Sequence, residues 1–125
     1  MSDLLCKLDD LSKSKFRNSF HLNKNMIDYV NDKGFDIIRK HAYDLVIKRL
    51  KNYDYKKDGK QTPMKQVHPV FIAEHACACC CRGCLEKWHH INKYKTLDNE
   101  DIDYIVNIIM LWIRNEMIVY EKKNN

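Results

Sequence analysis

The stretch DNEDIDYIVNIIMLWIRNEMIVY, residues 98–120, decides the fold class. Ile102, Ile105, Val106, Ile109, Trp112 and Ile113 recur at intervals of three and four, the period that gathers apolar side chains on one face of an α-helix. Asp98 with Asp101 three residues on forms a capping box with Asp in place of Glu, so the helix begins at about residue 99. It is expected to run to about residue 120, with residues 120–125 fraying as a polar tail.

Working outward toward the N-terminus, Leu85 to Ile91 also reads as helix. Before it, Pro69 opens the apolar run Val70-Phe71-Ile72-Ala73 and suits a helix start. A helix to about Ala76 is expected there, with a short strand as the alternative. Residues 52–68 form a polar loop carrying Asp58-Gly59 and Thr62-Pro63, both turn signals. Upstream, Asp36 is placed to cap a helix whose face is Ile37, Ile38, Ala42, Leu45 and Val46; Lys48, Arg49 and Lys51 favour its negative C-terminal end. Asn23 caps another helix through Met26, Ile27 and Val30, which Gly34 ends. Leu4, Leu5, Leu8 and Leu11 place a short helix near residues 3–13. With three Gly and two Pro in the chain, an all-β fold with many tight turns is excluded. The expected architecture is all-α, a small single-domain helical fold spanning residues 1–125, with a Cys/His-rich metal-binding turn between helices.

That turn is the chemical signal. Five of the six cysteines fall within Cys77-Ala78-Cys79-Cys80-Cys81-Arg82-Gly83-Cys84, and His68, His75, His89 and His90 flank them. The N-terminus carries no secretory leader, and no apolar run reaches the length of a membrane span, so a cytoplasmic location and no membrane partner are expected. In a reducing compartment, clustered cysteines point to metal or redox chemistry before structural disulfides. Cys81-x2-Cys84-x4-His89 reproduces the first three ligands of a zinc knuckle. Tyr94 stands where the fourth is expected, so His75 is the upstream candidate, with Cys80 as its substitute. The expected ligand set is therefore His75 or Cys80 with Cys81, Cys84 and His89, and zinc the expected ion. An all-thiolate set of Cys77, Cys80, Cys81 and Cys84 ranks lower, because two adjoining pairs wrap one ion only with strain. The plainer alternative is a group of reduced thiols packed in a small core.

Further residues carry rival readings. His68, Glu74 or Glu86 could serve as a general base beside a metal, with Arg82 or Lys60 holding an anionic substrate; each glutamate is more commonly a solvated helix charge. Lys60, Gln61, Arg82, Lys87 and Trp88 mix cations, an amide and an aromatic face, which suits single-stranded nucleic acid, and the net charge of +5 agrees. Trp88 is more often a core residue, and charge alone is weak evidence. Arg82 inside Cys-x-x-Cys also lowers a thiol pKa in principle, although no β-α-β redox setting is visible. His21 and His41 receive no role.

Together, Asp58 to Pro63, HPVFIAEHACACCCRGCLEKWHHI from His68 and DIDYIVNIIMLWI resemble a family of short microbial and phage proteins described as domain of unknown function 4186. The resemblance spans about Phe16 to Ile113 and is most specific over Cys80 to His89. It implies Thr at the positions of Cys77 and Cys79, so neither thiol is needed by the family. It implies retention of His68, His75, Cys80, Cys81, Cys84 and His89, and no particular activity. The reading is a metal-stabilised binding module with nucleic acid as leading partner. Its rivals are a metal-dependent hydrolase or nuclease, and a thiol-redox or purely structural metal site with a protein-interaction role.

Overall fold

The computed structural model describes residues 2–52, 61–63 and 68–124. Among these it forms six α-helices and no strand: α1 (Ser2–Ser12), α2 (Lys24–Lys33), α3 (Phe35–Val46), α4 (Pro69–Ala76), α5 (Arg82–His89) and α6 (Asn99–Lys123). A 3-10 turn, Arg17–Ser19, lies between α1 and α2, and a π-helical turn, Ile47–Lys51, continues α3.

The capping box forms as expected: Asp98 Oδ1 accepts from the Asp101 amide at 2.9 Å, and Asp101 Oδ2 accepts from the Asp98 amide at 3.1 Å. From there α6 runs three residues further than expected, to Lys123. Its stripe is also wider, because Ile108, Met110, Leu111 and Met117 join the buried set while Trp112 sits at the margin. The cause is tertiary. Helices α1, α3 and α4 all pack on α6, so it is covered on more than one side. Each buried Ile or Leu contributes roughly 1.5–3 kcal/mol of transfer free energy, which makes α6 the spine of the core.

Between α2 and α3 the cap differs from expectation. Asn23 does cap α2, accepting from the Met26 amide at 3.0 Å. Gly34, however, both ends α2 and begins α3, so Asp36 lies inside the first turn of α3 rather than at its cap. Gly34 has φ +83° and ψ 156°, a region that side-chain-bearing residues rarely enter. The negative charge of Asp36 still suits the positive end of the α3 dipole.

The run after His68 is a helix, and all eight residues of α4 are buried. Its cap is the imidazole of His68, whose Nδ1 accepts from the Val70 amide at 3.0 Å, and Pro69 occupies the first turn, where a missing N–H loses nothing. Of the polar loop, Gln61 and Thr62 are buried. The Asp58-Gly59 turn and Lys60 lie outside the described residues.

Candidate metal centre

Three cysteines converge because a helix begins among them. Ala78, with φ +57°, turns the chain sharply after α4. Cys81 then takes an extended conformation as the N-cap of α5, and its Sγ accepts from the Cys84 amide at 3.3 Å. One helical turn in, Cys84 returns its own Sγ to the same helix end, while Cys80 approaches from the preceding turn and donates to Cys84 Sγ at 3.5 Å. The Sγ atoms of Cys80, Cys81 and Cys84 all lie within 4.8 Å of one another.

A fourth group comes from far away in the chain. Arg17, on the 3-10 turn, is 8 % exposed. It donates Nη1 to the His75 carbonyl at 2.7 Å and to Cys80 Sγ at 3.5 Å, and Nη2 to Cys84 Sγ at 3.2 Å. Its hydrogen-bonding partners are thus one neutral carbonyl and two sulfurs, with no carboxylate among the described residues. The Cys84 thiol is pulled well below its ordinary value, first by the hydrogen bond from Cys80, then by that from Cys81, with the Arg17 guanidinium adding to both. Cys80 is pushed up in turn, because it holds its proton between Cys81 and Cys84.

This donor set fits a thiophilic cation. Zinc binds thiolate sulfur at about 2.3 Å, so two sulfurs of one tetrahedron stand roughly 3.8 Å apart. Here Cys80 Sγ and Cys84 Sγ stand 3.5 Å apart and all three sulfurs lie within 4.8 Å, and no hard oxygen donor is among them. Such an ion would be held by Cys80, Cys81 and Cys84, with one tetrahedral position left to a further ligand.

The two histidines expected as ligands are placed differently. His89 Nε2 lies 2.7 Å from the Cys77 carbonyl and Nδ1 lies 2.7 Å from the Tyr104 hydroxyl. A carbonyl only accepts, so Nε2 holds the proton and the Nδ1 lone pair is taken by Tyr104. Burial holds the ring neutral, with its pKa lowered to about 4. His75 donates Nε2 to the Pro63 carbonyl at 3.0 Å and stacks on Phe20 at 5.5 Å. Neither ring joins the sulfur group. Cys77 and Cys79 are also outside it. They are fully buried, burial raises their pKa, and they donate to the carbonyls of Ile108 and Cys77 at 3.7 and 3.5 Å. A Thr hydroxyl at either position can make the same donation.

The remaining candidates scatter. Glu74 is fully buried rather than solvated, and Thr62 Oγ1 donates to its Oε2 at 3.2 Å. Glu86 is exposed and accepts from the Lys93 amide at 3.0 Å. His68 is the cap of α4, and its Nε2 meets His41 Nδ1 at 3.0 Å, so His41 has a partner that its sequence setting did not suggest. Arg82 is 1 % exposed and donates to the carbonyls of Leu50, Asn92 and Lys95, three backbone segments that it ties together. Gln61 is buried, Trp88 is half-buried against the core and Lys87 is exposed; Lys60 lies outside the described residues. The group expected to face nucleic acid is therefore not one surface: Arg82 and Gln61 point inward. Arg17, which donates to two of the sulfurs, was not signalled by the sequence, since 58 residues separate it from His75 and no local pattern marks it.

No solved structure matches the chain. The family described as domain of unknown function (DUF4186) matches residues 6–114, in line with the resemblance carried by Cys80 to His89, and the chain belongs to that family.

Proposed function

We propose that the protein is a metal-binding module whose centre is Cys80, Cys81 and Cys84 and whose ion is a thiophilic dication, zinc by preference. One observation carries this reading: three sulfurs lie within 4.8 Å of one another, with a buried guanidinium on two of them and no carboxylate among the described residues. Cys81 Sγ already takes an amide hydrogen bond, as a metal thiolate at a helix N-terminus does. When bound, the ion supplies a cross-link between the end of α4 and the start of α5, and a Lewis-acid position for one further ligand.

A binding role is favoured over hydrolysis by the surroundings. His68, Glu74 and Glu86 are each engaged away from the sulfurs, so a general base is not supplied by any of the three. Among the described residues, nucleic acid as partner rests on Lys87 and Trp88, with the net charge of +5 beside them, since Arg82 and Gln61 are buried.

The test is metal content after purification under reducing conditions, by native mass spectrometry with elemental analysis. One ion per chain is expected, lost in Cys80→Ala, Cys81→Ala and Cys84→Ala and kept in Cys77→Ala and Cys79→Ala. His75→Ala and His89→Ala are expected to keep it. Metal-free, folded wild-type protein would falsify the reading.

A further inference from the structure

We infer that Arg17 is the counter-charge of the metal centre, and that through it metal occupancy fastens the N-terminal segment, residues 2–19, onto the cysteine turn. The inference rests on the metal reading above and adds to it a selectivity and a response.

The argument begins with burial. A guanidinium is always charged, and one removed from water needs an anion close by. Arg17 is 8 % exposed, and its polar partners among the described residues are the His75 carbonyl, Cys80 Sγ and Cys84 Sγ. The carbonyl carries no net charge, so among the described residues the two sulfurs are the groups placed to supply an anion. Three thiolates with a dication sum to one net negative charge, and Arg17 cancels it. A monovalent ion in the same place leaves one negative charge buried even with Arg17 present. The residue therefore favours divalent over monovalent ions. Its planar fork reaches two sulfurs and a carbonyl from two separate nitrogens held in fixed geometry, whereas a lysine ammonium offers one point charge on a flexible stem.

The response follows from where Arg17 sits. The turn Arg17–Ser19 packs against α1 and α4. A second tie runs the same way: Lys7 on α1 donates to the carbonyl of Trp88 on α5 at 2.8 Å. Both long-range polar ties thus join residues 2–19 to the segment 75–88 that carries the centre. Loading the ion fixes Cys80 Sγ and Cys84 Sγ, the two sulfur acceptors of Arg17, in one coordination sphere and so steadies the tie at Arg17. Removing it frees both sulfurs and loosens that tie.

The experiment titrates reduced wild type, Arg17→Gln and Arg17→Lys with Zn2+, and separately with Co2+, against a competing chelator. Cobalt reports thiolate ligation by its charge-transfer band. Hydrogen exchange over residues 2–19 is followed with and without ion. Wild type is expected to bind one equivalent and to slow exchange in residues 2–19 on loading. Both variants should bind about 10- to 100-fold more weakly, the range for groups that support metal ligands, and lose the ion-dependent protection. Unchanged exchange in residues 99–123 shows that the variant has folded; if Arg17→Gln does not fold, Arg17→Lys and the wild-type exchange comparison decide. Affinity within twofold of wild type in a folded variant, or no change in residues 2–19 on loading, overturns the inference and leaves the metal reading standing. Wild type that binds neither ion overturns both.

Discussion

Glu74 shows how far one side chain can depart from its sequence setting. It sits in an apolar helix with Oε1 lacking a hydrogen-bond partner among the described residues and Oε2 held by Thr62. Burial dominates and raises its pKa to about 8, against the smaller opposing effects of Thr62 and Arg49. The native carboxyl is thus protonated at neutral pH, whereas the unfolded one ionises near its ordinary value. Between about pH 4.5 and pH 8 the native state binds the extra proton, so stability falls as pH rises through that window, by several kcal/mol in order of magnitude. Glu74→Gln keeps the shape without the proton. It is expected to flatten the decline of Tm between pH 4.5 and pH 8, and an unchanged slope would assign the pH dependence elsewhere.

At the scale of elements, α5 is where capping and metal ligation share one atom. Cys81 Sγ accepts from the Cys84 amide, the bond a Ser or Thr cap makes with its hydroxyl. Serine can keep the cap but is a poor zinc ligand. Cys81→Ser is therefore expected to lose the ion while retaining the metal-free Tm. Cys81→Ala is expected to lose the ion and a further ~1 kcal/mol of stability. Comparing metal content and apo-protein melting of the two variants checks this. Equal apo stabilities would mean that the cap contributes nothing. The same element carried the clearest local signal in the chain, Cys81-x2-Cys84, and that pair does converge. The partner expected from the next helical turn, His89, does not join it, because Tyr104 on α6 and the Cys77 carbonyl claim both ring nitrogens.

Across the whole molecule, Arg82 is the residue whose role depends most on long-range packing. From sequence it reads as a cation inside the Cys81-x2-Cys84 turn, open to an anionic ligand. In the fold it reaches inward to the Leu50, Asn92 and Lys95 carbonyls, linking the end of the π-helical turn to the segment before α6. Removing it leaves buried carbonyls without those donors and opens a void. Arg82→Ala is expected to cost roughly 2–4 kcal/mol of global stability, read by urea unfolding. A variant as stable as wild type would return Arg82 to the list of ligand-facing cations.

The sequence by itself determined the helices and the N-caps of α2 and α6. Three-and-four spacing, Asn23, Pro69 and the Asp98–Asp101 box are local, and helix formation is governed by neighbours within a turn. It also determined that sulfur would gather at one place, because Cys80, Cys81 and Cys84 lie within a single turn and the start of one helix. Tertiary structure alone decided which histidines have a lone pair to offer, which cations face inward, and that Arg17 stands against the sulfurs. Those outcomes depend on contacts between residues 10 to 67 positions apart, and burial there forces each polar group to take whatever partner the packing supplies.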